Sequence, residues 1–387
     1  MILLKSHFAS PSTAVDDMTN PKRLALRAAR LSLTCLIGVM LGTGIEAAQA
    51  SKGQSGSASA GGTASAQKAA PTKTSAKYSS NSAAARRARL ARAQAAARAR
   101  DLAAAKVPRF KLDDHGDLVP DVRAEAAIVY NPTTGEILWE TEGFSLRSIA
   151  SITKVMTALC FLEDDPDLAR EVTVNRVDLR GASTTFLRAS ERIDLQGVLH
   201  LALVASDNVA ARTLARSFSG GPEAFVARMN EKAVELGLTS THFTDPSGLD
   251  ARNVSSAYDL ARLIAYAAED ELLSSIMRTS EYTLRTSRRT LTVHNTNQLV
   301  RSADIDVRGG KTGFISKSGH CLATLLRLPE LNQTVAVVVL GARSNAGRFW
   351  ETRHIFNWIS AKAHNLFGGR PPLPPSAPDP VIHHFDR

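Results

Sequence analysis

The order of the predicted secondary-structure elements is the feature that most constrains the fold of this chain. Two apolar runs at 127–130 and 136–139, with a turn at 131–135 between them, predict a pair of strands. Amphipathic helices follow, and β-prone runs and a last amphipathic helix end the patterned region. This order predicts an α+β domain whose sheet is completed by both ends of the region. The later elements are predicted as helices at 152–163, 194–218, 223–236, 257–268 and 349–367 and as strands within 282–286, 290–296, 321–328 and 334–342.

The N-terminal residues 1–50 have the pattern of a signal peptide for export to the periplasm. Basic residues precede a short apolar stretch at 31–41, and Ala48 and Ala50 fit an A-x-A cleavage site. The stretch is shorter than the roughly 20 residues that span a bilayer comfortably. An uncleaved anchor that extends toward Ile45, with peripheral membrane contact through this segment, is the alternative.

Residues 51–106 form a low-complexity, basic linker that we expect to be disordered. Its first half is rich in Gly, Ser, Ala and Lys, and its Ala/Arg-rich second half has strong helical propensity but few large apolar residues. A basic arm that touches anionic envelope polymers and a solvated spacer are both open interpretations. The net charge of +10 is concentrated in this exported segment, so nucleic acid is not predicted as a partner. We expect a catalytic domain at 107–368 and a Pro-rich tail at 369–387.

The segment SITKVMTALC, which begins at Ser151, predicts a buried helix with a lysine inside its apolar run. The apolar residues from Ile152 to Leu159 share one helical face, and Lys154 lies one turn after Ser151. A serine hydroxyl becomes a nucleophile when a base takes its proton, and burial can make a lysine that base by lowering its pKa. The same spacing at Ser65, in the linker, shows that the spacing alone is not specific.

Two further short motifs follow in order. Ser206 and Asn208 lie between apolar helical runs, where a serine can relay a proton and an amide can hold a carbonyl and an ammonium. Lys311 and Thr312 offer a cation and a hydroxyl to a carboxylate, and Gly313 allows close approach to the backbone. Each motif also has a structural interpretation: a helix boundary capped by Ser206, and a turn before a strand.

Together, Ser-x-x-Lys, Ser-x-Asn and Lys-Thr-Gly resemble the signature set of penicillin-binding proteins and serine β-lactamases. Over residues 121–365 the chain is similar to the low-molecular-mass D-alanyl-D-alanine carboxypeptidases and endopeptidases, serine peptidases of family S11. The segments FTDPSGLD and GGKTGFISKSG are most similar to the DD-endopeptidase type called penicillin-binding protein 7. The resemblance implies a serine β-lactamase/DD-peptidase-like fold, in which helices flank an antiparallel sheet and a helical lobe carries the second motif.

The resemblance also implies the chemistry and the ligands. The substrates would be peptidoglycan stem peptides and cross-links, β-lactam antibiotics would be covalent inhibitors, and no cofactor or metal is implied. Ser151 would accept the acyl group, Lys154 would be its base, and the backbone N–H groups of Ser151 and Phe314 would form an oxyanion hole. The implied catalytic residues are Ser151, Lys154 and Ser206, and the implied substrate-binding residues are Asn208, Lys311, Thr312, Gly313 and Phe314.

Two other functions remain as alternatives. A class A β-lactamase would carry Glu-x-x-Leu-Asn roughly forty residues after Ser206, where this chain has THFTDPSGLD. A non-catalytic penicillin-responsive sensor or wall-binding module would be expected to have several membrane spans and a signalling domain, and this sequence has one short apolar segment. Preference for endopeptidase over carboxypeptidase activity depends on loops that the sequence does not resolve.

Several other polar residues have simpler interpretations. His294 is predicted as a hydrogen-bonded strand histidine, and Asp245 and Asp250 are predicted to form a structural turn. His320 lies close to the third motif, and Arg348 resembles a family arginine near the cleft.

The cysteines and histidines do not indicate a disulfide or a metal site. Cys35 lies in the predicted signal peptide, and Cys160 and Cys321 have apolar neighbours that favour two small buried residues. The ten histidines include no HExxH pattern, so we predict no metal.

Overall fold

The computed structural model describes residues 83–329 and 333–366 of the chain. Contacts divide the chain into two units, 1–74 and 75–387, and all described residues belong to the second unit. The predicted signal peptide, the first part of the predicted linker and the Pro-rich tail lie outside the described residues. The domain boundaries therefore stay predictions.

The described elements alternate between short strands and helices in the first two thirds of the domain. They begin with α1 (Ala83–Lys106), β1 (Phe110–Leu112), β2 (Leu118–Pro120), β3 (Ala126–Asn131), β4 (Glu136–Thr141), β5 (Arg147–Ser148), a 3₁₀ turn (Ala150–Ile152), α2 (Thr153–Leu162), β6 (Glu171–Thr173), β7 (Arg192–Asp194), α3 (Leu195–Leu203) and α4 (Asn208–Ser217). They continue with α5 (Gly221–Glu235), β8 (Val254–Ser255), α6 (Ala257–Ala267), α7 (Glu271–Arg278), β9 (Glu281–Arg285), β10 (Thr290–His294), α8 (Gln298–Ser302), β11 (Val307–Ile315), β12 (Gly319–Arg327), β13 (Thr334–Ala342) and α9 (Asn345–Leu366).

The central sheet has five antiparallel strands in the order β11-β12-β13-β3-β4. The two ends of the domain meet where β13 pairs with β3, which confirms the predicted α+β arrangement. Strand β13 reads TVAVVVLGA, and its β-branched residues suit a strand that is buried on both faces. Val337 and Val339 enter one core while Val338 and Leu340 enter the other, as the two-residue period of a strand requires.

The sheet separates two apolar cores of different make-up. Helices α2, α3, α4 and α6 cover one face, where Met156, Leu199 and Leu260 belong to the same buried cluster. Helix α9 covers the other face through residues such as Phe349 and Ile355. Large side chains buried in this way stabilise the fold by about 1.5–3 kcal/mol each. The two cores hold β11, at one edge of the sheet, in a fixed relation to α2 and α4.

The predicted single helix over 194–218 is wrong, because the structure breaks it into α3 and α4. Ser206 has a φ of 60°, a left-handed conformation that no helix interior accommodates. The Asp207 carboxylate then caps α4 by accepting a hydrogen bond from Ala210 N at 2.9 Å. The cap is therefore Asp207 and not Ser206.

Other sequence expectations compare with the structure as follows. The strands predicted at 127–130 and 136–139 are confirmed as β3 and β4. The turn that was an alternative for the third motif is wrong, because Lys311, Thr312 and Gly313 lie inside β11. Helix α7 has no counterpart among the predicted elements.

Helix α1 covers the Ala/Arg-rich part of the predicted linker and confirms its helical propensity, so the expectation of disorder is wrong for Ala83–Lys106. Its described side chains are mostly exposed, and only Ala105 is buried. Its last turn contacts the domain, where Arg123 Nη1 donates to Ala104 O at 2.9 Å and His354 Nε2 lies 3.0 Å from Ala105 O. Within 83–329 and 333–366, no helix combines the length and the apolar character that a membrane span requires.

Candidate active site

Ser151 lies in the 3₁₀ turn that leads directly into α2. The turn is entered through Ala150, whose φ of 47° is a left-handed conformation that costs an alanine roughly 1–2 kcal/mol. Two glycines, Gly313 in β11 and Gly248 in a loop, pack closely against this backbone. A Cβ on Gly313 would lie 2.5 Å from Ile149 O, and a Cβ on Gly248, where φ is 78°, would lie 2.0 Å from Ala150 O. Neither position has room for a side chain, so both strand and turn can press against the nucleophile's backbone.

Lys154 is fully buried in α2 and is surrounded by acceptors. Its Nζ lies 2.8 Å from Ser151 Oγ, 2.7 Å from Asn208 Oδ1 and 2.5 Å from Ser247 O. Burial lowers the pKa of Lys154 to about 7, against the nearby carboxylate of Asp207, which raises it. The expectation that the apolar helix buries this lysine and lowers its pKa is confirmed.

The second motif faces Ser151 from the α3–α4 connection. Asn208 is the first residue of α4, and its side chain touches Lys154 through Oδ1 and Ser183 Oγ, at 3.4 Å, through Nδ2. The buried Asp207 carboxylate also accepts a hydrogen bond from Phe186 N at 2.5 Å. One carboxylate therefore caps α4 and fixes the 183–186 loop beside it.

The third motif lies on β11, the edge strand of the sheet. Lys311 is 1% exposed, and its Nζ donates to Ser206 Oγ at 2.7 Å. Burial, with the positive charge of Lys154, holds the pKa of Lys311 well below its ordinary value. Thr312 Oγ1 donates to Thr296 Oγ1 at 2.7 Å. The contact between Lys311 and Ser206 joins the second and third motifs in space, although 105 positions separate them.

These motifs line one cleft of about 530 Å³. Gly313 and Phe314 belong to β11, whose outer edge has no strand partner among the described residues. Of the residues named from the sequence, Lys154 and Lys311 lie just beneath the surface of the cleft. The cleft is lined by Ser151, Ser183, Thr184, Ala205, Ser206, Asn208, Leu249, Thr296, Thr312, Gly313, Phe314, Ile315, Ser316 and Arg348.

Arg348 and His320 support the floor beneath β11. Arg348 Nη1 donates to Gly313 O at 2.9 Å and to Cys321 O at 3.1 Å. Burial and the charge of Arg348 lower the pKa of His320 to about 4, so its ring is neutral at pH 7. That ring stacks on Phe314 with 4.2 Å between centroids. His320 therefore contacts Phe314 and is not among the described residues that line the cleft.

Among the described residues, none of the remaining polar residues and cysteines singled out in the sequence lines the cleft. His294 pairs with Glu281 at 3.0 Å across the β9–β10 hairpin, as predicted for a strand histidine. Asp245 is the centre of a structural turn, which confirms that expectation. Cys160 and Cys321 are buried and free, also as predicted.

Sequence reasoning missed several residues of the cleft. Thr296 lies in the segment VHNTNQ, and no sequence pattern indicates its contact with Thr312. Ser183, Thr184 and Leu249 come from loops whose positions depend on tertiary packing. Their small polar or apolar character alone could not have identified them.

Comparison with known proteins identifies the family of proteins that this chain resembles. Residues 114–344 match the peptidase S11 family, D-alanyl-D-alanine carboxypeptidase. The chain is 32% identical over 245 residues to the D-alanyl-D-alanine endopeptidase of Escherichia coli K12, a match that covers 62% of this chain and 78% of that protein. It is 34% identical over 247 residues to the D-alanyl-D-alanine endopeptidase of Pseudomonas aeruginosa, which covers 62% and 79%. The DD-transpeptidase of Streptomyces K15 superimposes with a TM-score of 0.59 at 26% identity, covering 62% of this chain and 98% of that one.

The family match spans both outer strands of the sheet and all three motifs, which confirms the resemblance first drawn from the motifs. The solved DD-transpeptidase likewise confirms the expected fold class. The chain belongs to the peptidase S11 family of D-alanyl-D-alanine carboxypeptidases.

Proposed function

We propose that the chain is a serine-type peptidase that cleaves peptidoglycan peptides at D-alanyl bonds through an acyl-enzyme on Ser151. The observation that carries this proposal is the 2.8 Å contact between Lys154 Nζ and Ser151 Oγ. Because burial brings the pKa of Lys154 to about 7, a large share of the lysine is neutral at neutral pH. A neutral amine at this distance can take the serine proton.

The partners of Lys154 orient its lone pair. Asn208 Oδ1 and Ser247 O can only accept hydrogen bonds, so each takes one N–H of the neutral amine. The remaining position on Nζ is the lone pair, and it faces Ser151 Oγ. The arrangement therefore favours proton transfer from Ser151 to Lys154.

The rest of the cleft supplies the other parts of the reaction. Ser151 Oγ would attack the carbonyl carbon of the scissile bond while the N–H groups of Ser151 and Phe314 stabilise the oxyanion. Lys311 and Thr312 would bind the carboxylate that follows the bond. The hydroxyl of Ser206, which accepts a hydrogen bond from Lys311, is placed to pass a proton to the leaving amine. The proton taken up by Lys154 balances the one that this amine requires, and water then hydrolyses the acyl-enzyme.

We favour this reaction over β-lactam hydrolysis. None of the described residues that line the cleft is a carboxylate. A rapid β-lactamase of class A uses a glutamate to activate the deacylating water. The acyl-enzyme formed with a β-lactam is therefore expected to persist, and β-lactams would act as covalent inhibitors.

We further propose that the enzyme is a DD-endopeptidase that acts on cross-links outside the cytoplasm. Both endopeptidase relatives compared above match nearly four fifths of their own length. The open edge of β11 can pair with an extended peptide, as an added strand, and so can hold a cross-linked stem. The A-x-A pattern at Ala48 and Ala50 supports export to the periplasm. An exported protein whose N-terminus, by sequencing, is not residue 51 would contradict cleavage there.

One experiment tests the proposal directly. The purified protein is incubated with muropeptides, and the products are identified by mass spectrometry. Endopeptidase activity removes cross-linked dimers, whereas carboxypeptidase activity removes only a terminal D-Ala from pentapeptides.

Ser151→Ala should abolish hydrolysis and covalent labelling by a fluorescent penicillin. Ser65→Ala is the matched control, because Ser65 begins a second Ser-x-x-Lys in the sequence. Labelling that survives in Ser151→Ala would sink the assignment.

A further inference from the structure

The turn Asp245–Asp250 is organised around one carboxylate. Asp245 Oδ1 accepts hydrogen bonds from Ser247 N at 2.6 Å, Ser247 Oγ at 2.6 Å and Gly248 N at 2.9 Å. Its Oδ2 accepts from Asp250 N at 2.8 Å and from Asn253 Nδ2 at 2.7 Å. These donors fill the acceptor positions of a carboxylate. Burial raises the pKa of Asp245, but the hydrogen bonds outweigh it and hold that pKa below its ordinary value.

The same turn contacts helix α2 at two points and the 3₁₀ turn that carries the nucleophile at a third. Ser247 O accepts from Lys154 Nζ at 2.5 Å, and Pro246 O accepts from Thr157 Oγ1 at 2.6 Å. Gly248 packs so closely that a Cβ there would lie 2.9 Å from the backbone nitrogen of Ser151. The turn therefore contacts the predicted base, the backbone of the nucleophile and the helix that carries both.

We propose that Asp245 is a positioning residue for acylation, which fixes the Ser247 carbonyl so that Lys154 is held toward Ser151. This inference rests on the proposed function of Ser151 and Lys154. A turn that only closed a loop would require hydrogen bonds within itself. This turn also places a backbone carbonyl on the lysine, and that placement depends on the Asp245 carboxylate.

The charge of Asp245 gives the inference a second consequence. The charged groups that act on Lys154 are the carboxylates of Asp207 and Asp245, which favour the ammonium form, and the Arg212 guanidinium, which disfavours it. The amine of Lys311 also faces this site, and burial with the charge of Lys154 holds its own pKa well below the ordinary value. Replacing Asp245 by Asn removes one of the two carboxylates. The pKa of Lys154 should then fall, and the neutral base should persist to lower pH.

An asparagine also breaks the geometry of the turn. Its carbonyl oxygen can replace one carboxylate oxygen, but its NH₂ group would face donors on Asp250 and Asn253. The turn would shift, and the Ser247 carbonyl would shift with it. A displacement of about 1 Å near reacting groups can reduce a rate about 100-fold.

The test measures acylation by a fluorescent penicillin as a function of pH, normalised to the number of titrated active sites. In Asp245→Asn we expect an acylation rate about 10- to 100-fold lower. The acidic limb of the profile of rate against pH, where protonation of Lys154 slows the reaction, should move to lower pH. Asp245→Glu keeps the charge on a longer arm, so its rate should fall while the limb stays in place. Asp250→Asn is the matched control, since that side chain pairs with Arg252 at the surface, and it should retain the wild-type rate and limb.

A wild-type rate in Asp245→Asn would overturn the inference. A lower rate with an unmoved limb in both Asp245 variants would also overturn it, because a merely structural role predicts that result. If neither variant folds, Thr157→Val tests the contact from the helix side, and it should lower the rate several-fold. An unchanged rate in Thr157→Val would then count against the inference. A wild-type protein that is never acylated would instead refute the proposed function.

Discussion

Lys154 is the side chain whose replacement tests the chemistry most directly. Lys154→Arg keeps a cation at this position, but a guanidinium stays charged in proteins and cannot act as a base. We expect acylation by penicillin to fall about 10²- to 10⁴-fold, the usual contribution of a general base. In the wild type, lowering the pH below about 7 protonates Lys154, so the rate should fall tenfold per pH unit there. A wild-type rate profile without this acidic limb would contradict the role of Lys154.

The burial and the reactivity of Lys154 could be predicted from the sequence, whereas one of its three hydrogen-bond partners could not. The apolar run around it implies a desolvated amine, and the motif order implies contact with Ser151 and Asn208. The Ser247 carbonyl is a backbone group, and every residue carries one. Its place against Lys154 is decided by the turn around Asp245, which the sequence indicates only as a turn.

Strand β11 packs directly against the 3₁₀ turn that carries Ser151. A single added methyl group can test whether acylation requires this close contact. Gly313→Ala would place a Cβ 2.5 Å from Ile149 O, so the strand or the nucleophile's turn must move. We expect about a 10- to 100-fold loss of acylation, because small displacements at reacting groups have effects of this size. Gly309→Ala is the matched control in the same strand, since the atoms nearest to its Cβ would be side-chain atoms, the end of Met277 at 3.1 Å and the Cβ of Ala268 at 3.2 Å.

Labelling rates and thermal melting, measured together, distinguish a direct loss of acylation in Gly313→Ala from a loss of folding. A folded Gly313→Ala that is acylated at the wild-type rate would show that the close approach is not required. An equal loss in Gly309→Ala would show that any methyl group in β11 disturbs the strand.

The sequence predicts helices and strands well where an apolar pattern extends over many residues. It predicts them poorly where a few polar residues determine the backbone conformation. The strands β3, β4, β12 and β13 follow directly from β-branched, apolar patterning. The break between α3 and α4 depends on the left-handed Ser206 and the cap at Asp207, which the helical periodicity of 194–218 conceals. A turn was the alternative interpretation of the Lys-Thr-Gly motif, because glycines favour turns. In the structure Gly313 of this motif lies in β11, where neighbouring atoms pack too closely against the strand for a Cβ to fit.

For the chain as a whole, the excess positive charge lies in residues 1–106, whereas the cleft is lined by residues after 107. Residues 1–106 contain 16 Lys and Arg against 4 Asp and Glu, a net charge of +12. The total of +10 therefore leaves residues 107–387 with a net charge of −2. None of the described residues that line the cleft belongs to α1, the described part of the basic segment.

A chain that begins at residue 107 should therefore keep its acylation rate per active site. Its melting temperature should fall by a few degrees, because the contacts of Ala104 with Arg123 and of Ala105 with His354 are lost. Binding to isolated peptidoglycan, measured by co-sedimentation at low and high salt, should weaken at low salt if the basic segment is an arm for anionic polymers, and should not change if it is a spacer. A chain that begins at residue 83 retains α1 and is the matched control. Loss of acylation in the shorter chain would contradict the predicted domain boundary, because it would show that the catalytic domain requires residues before 107.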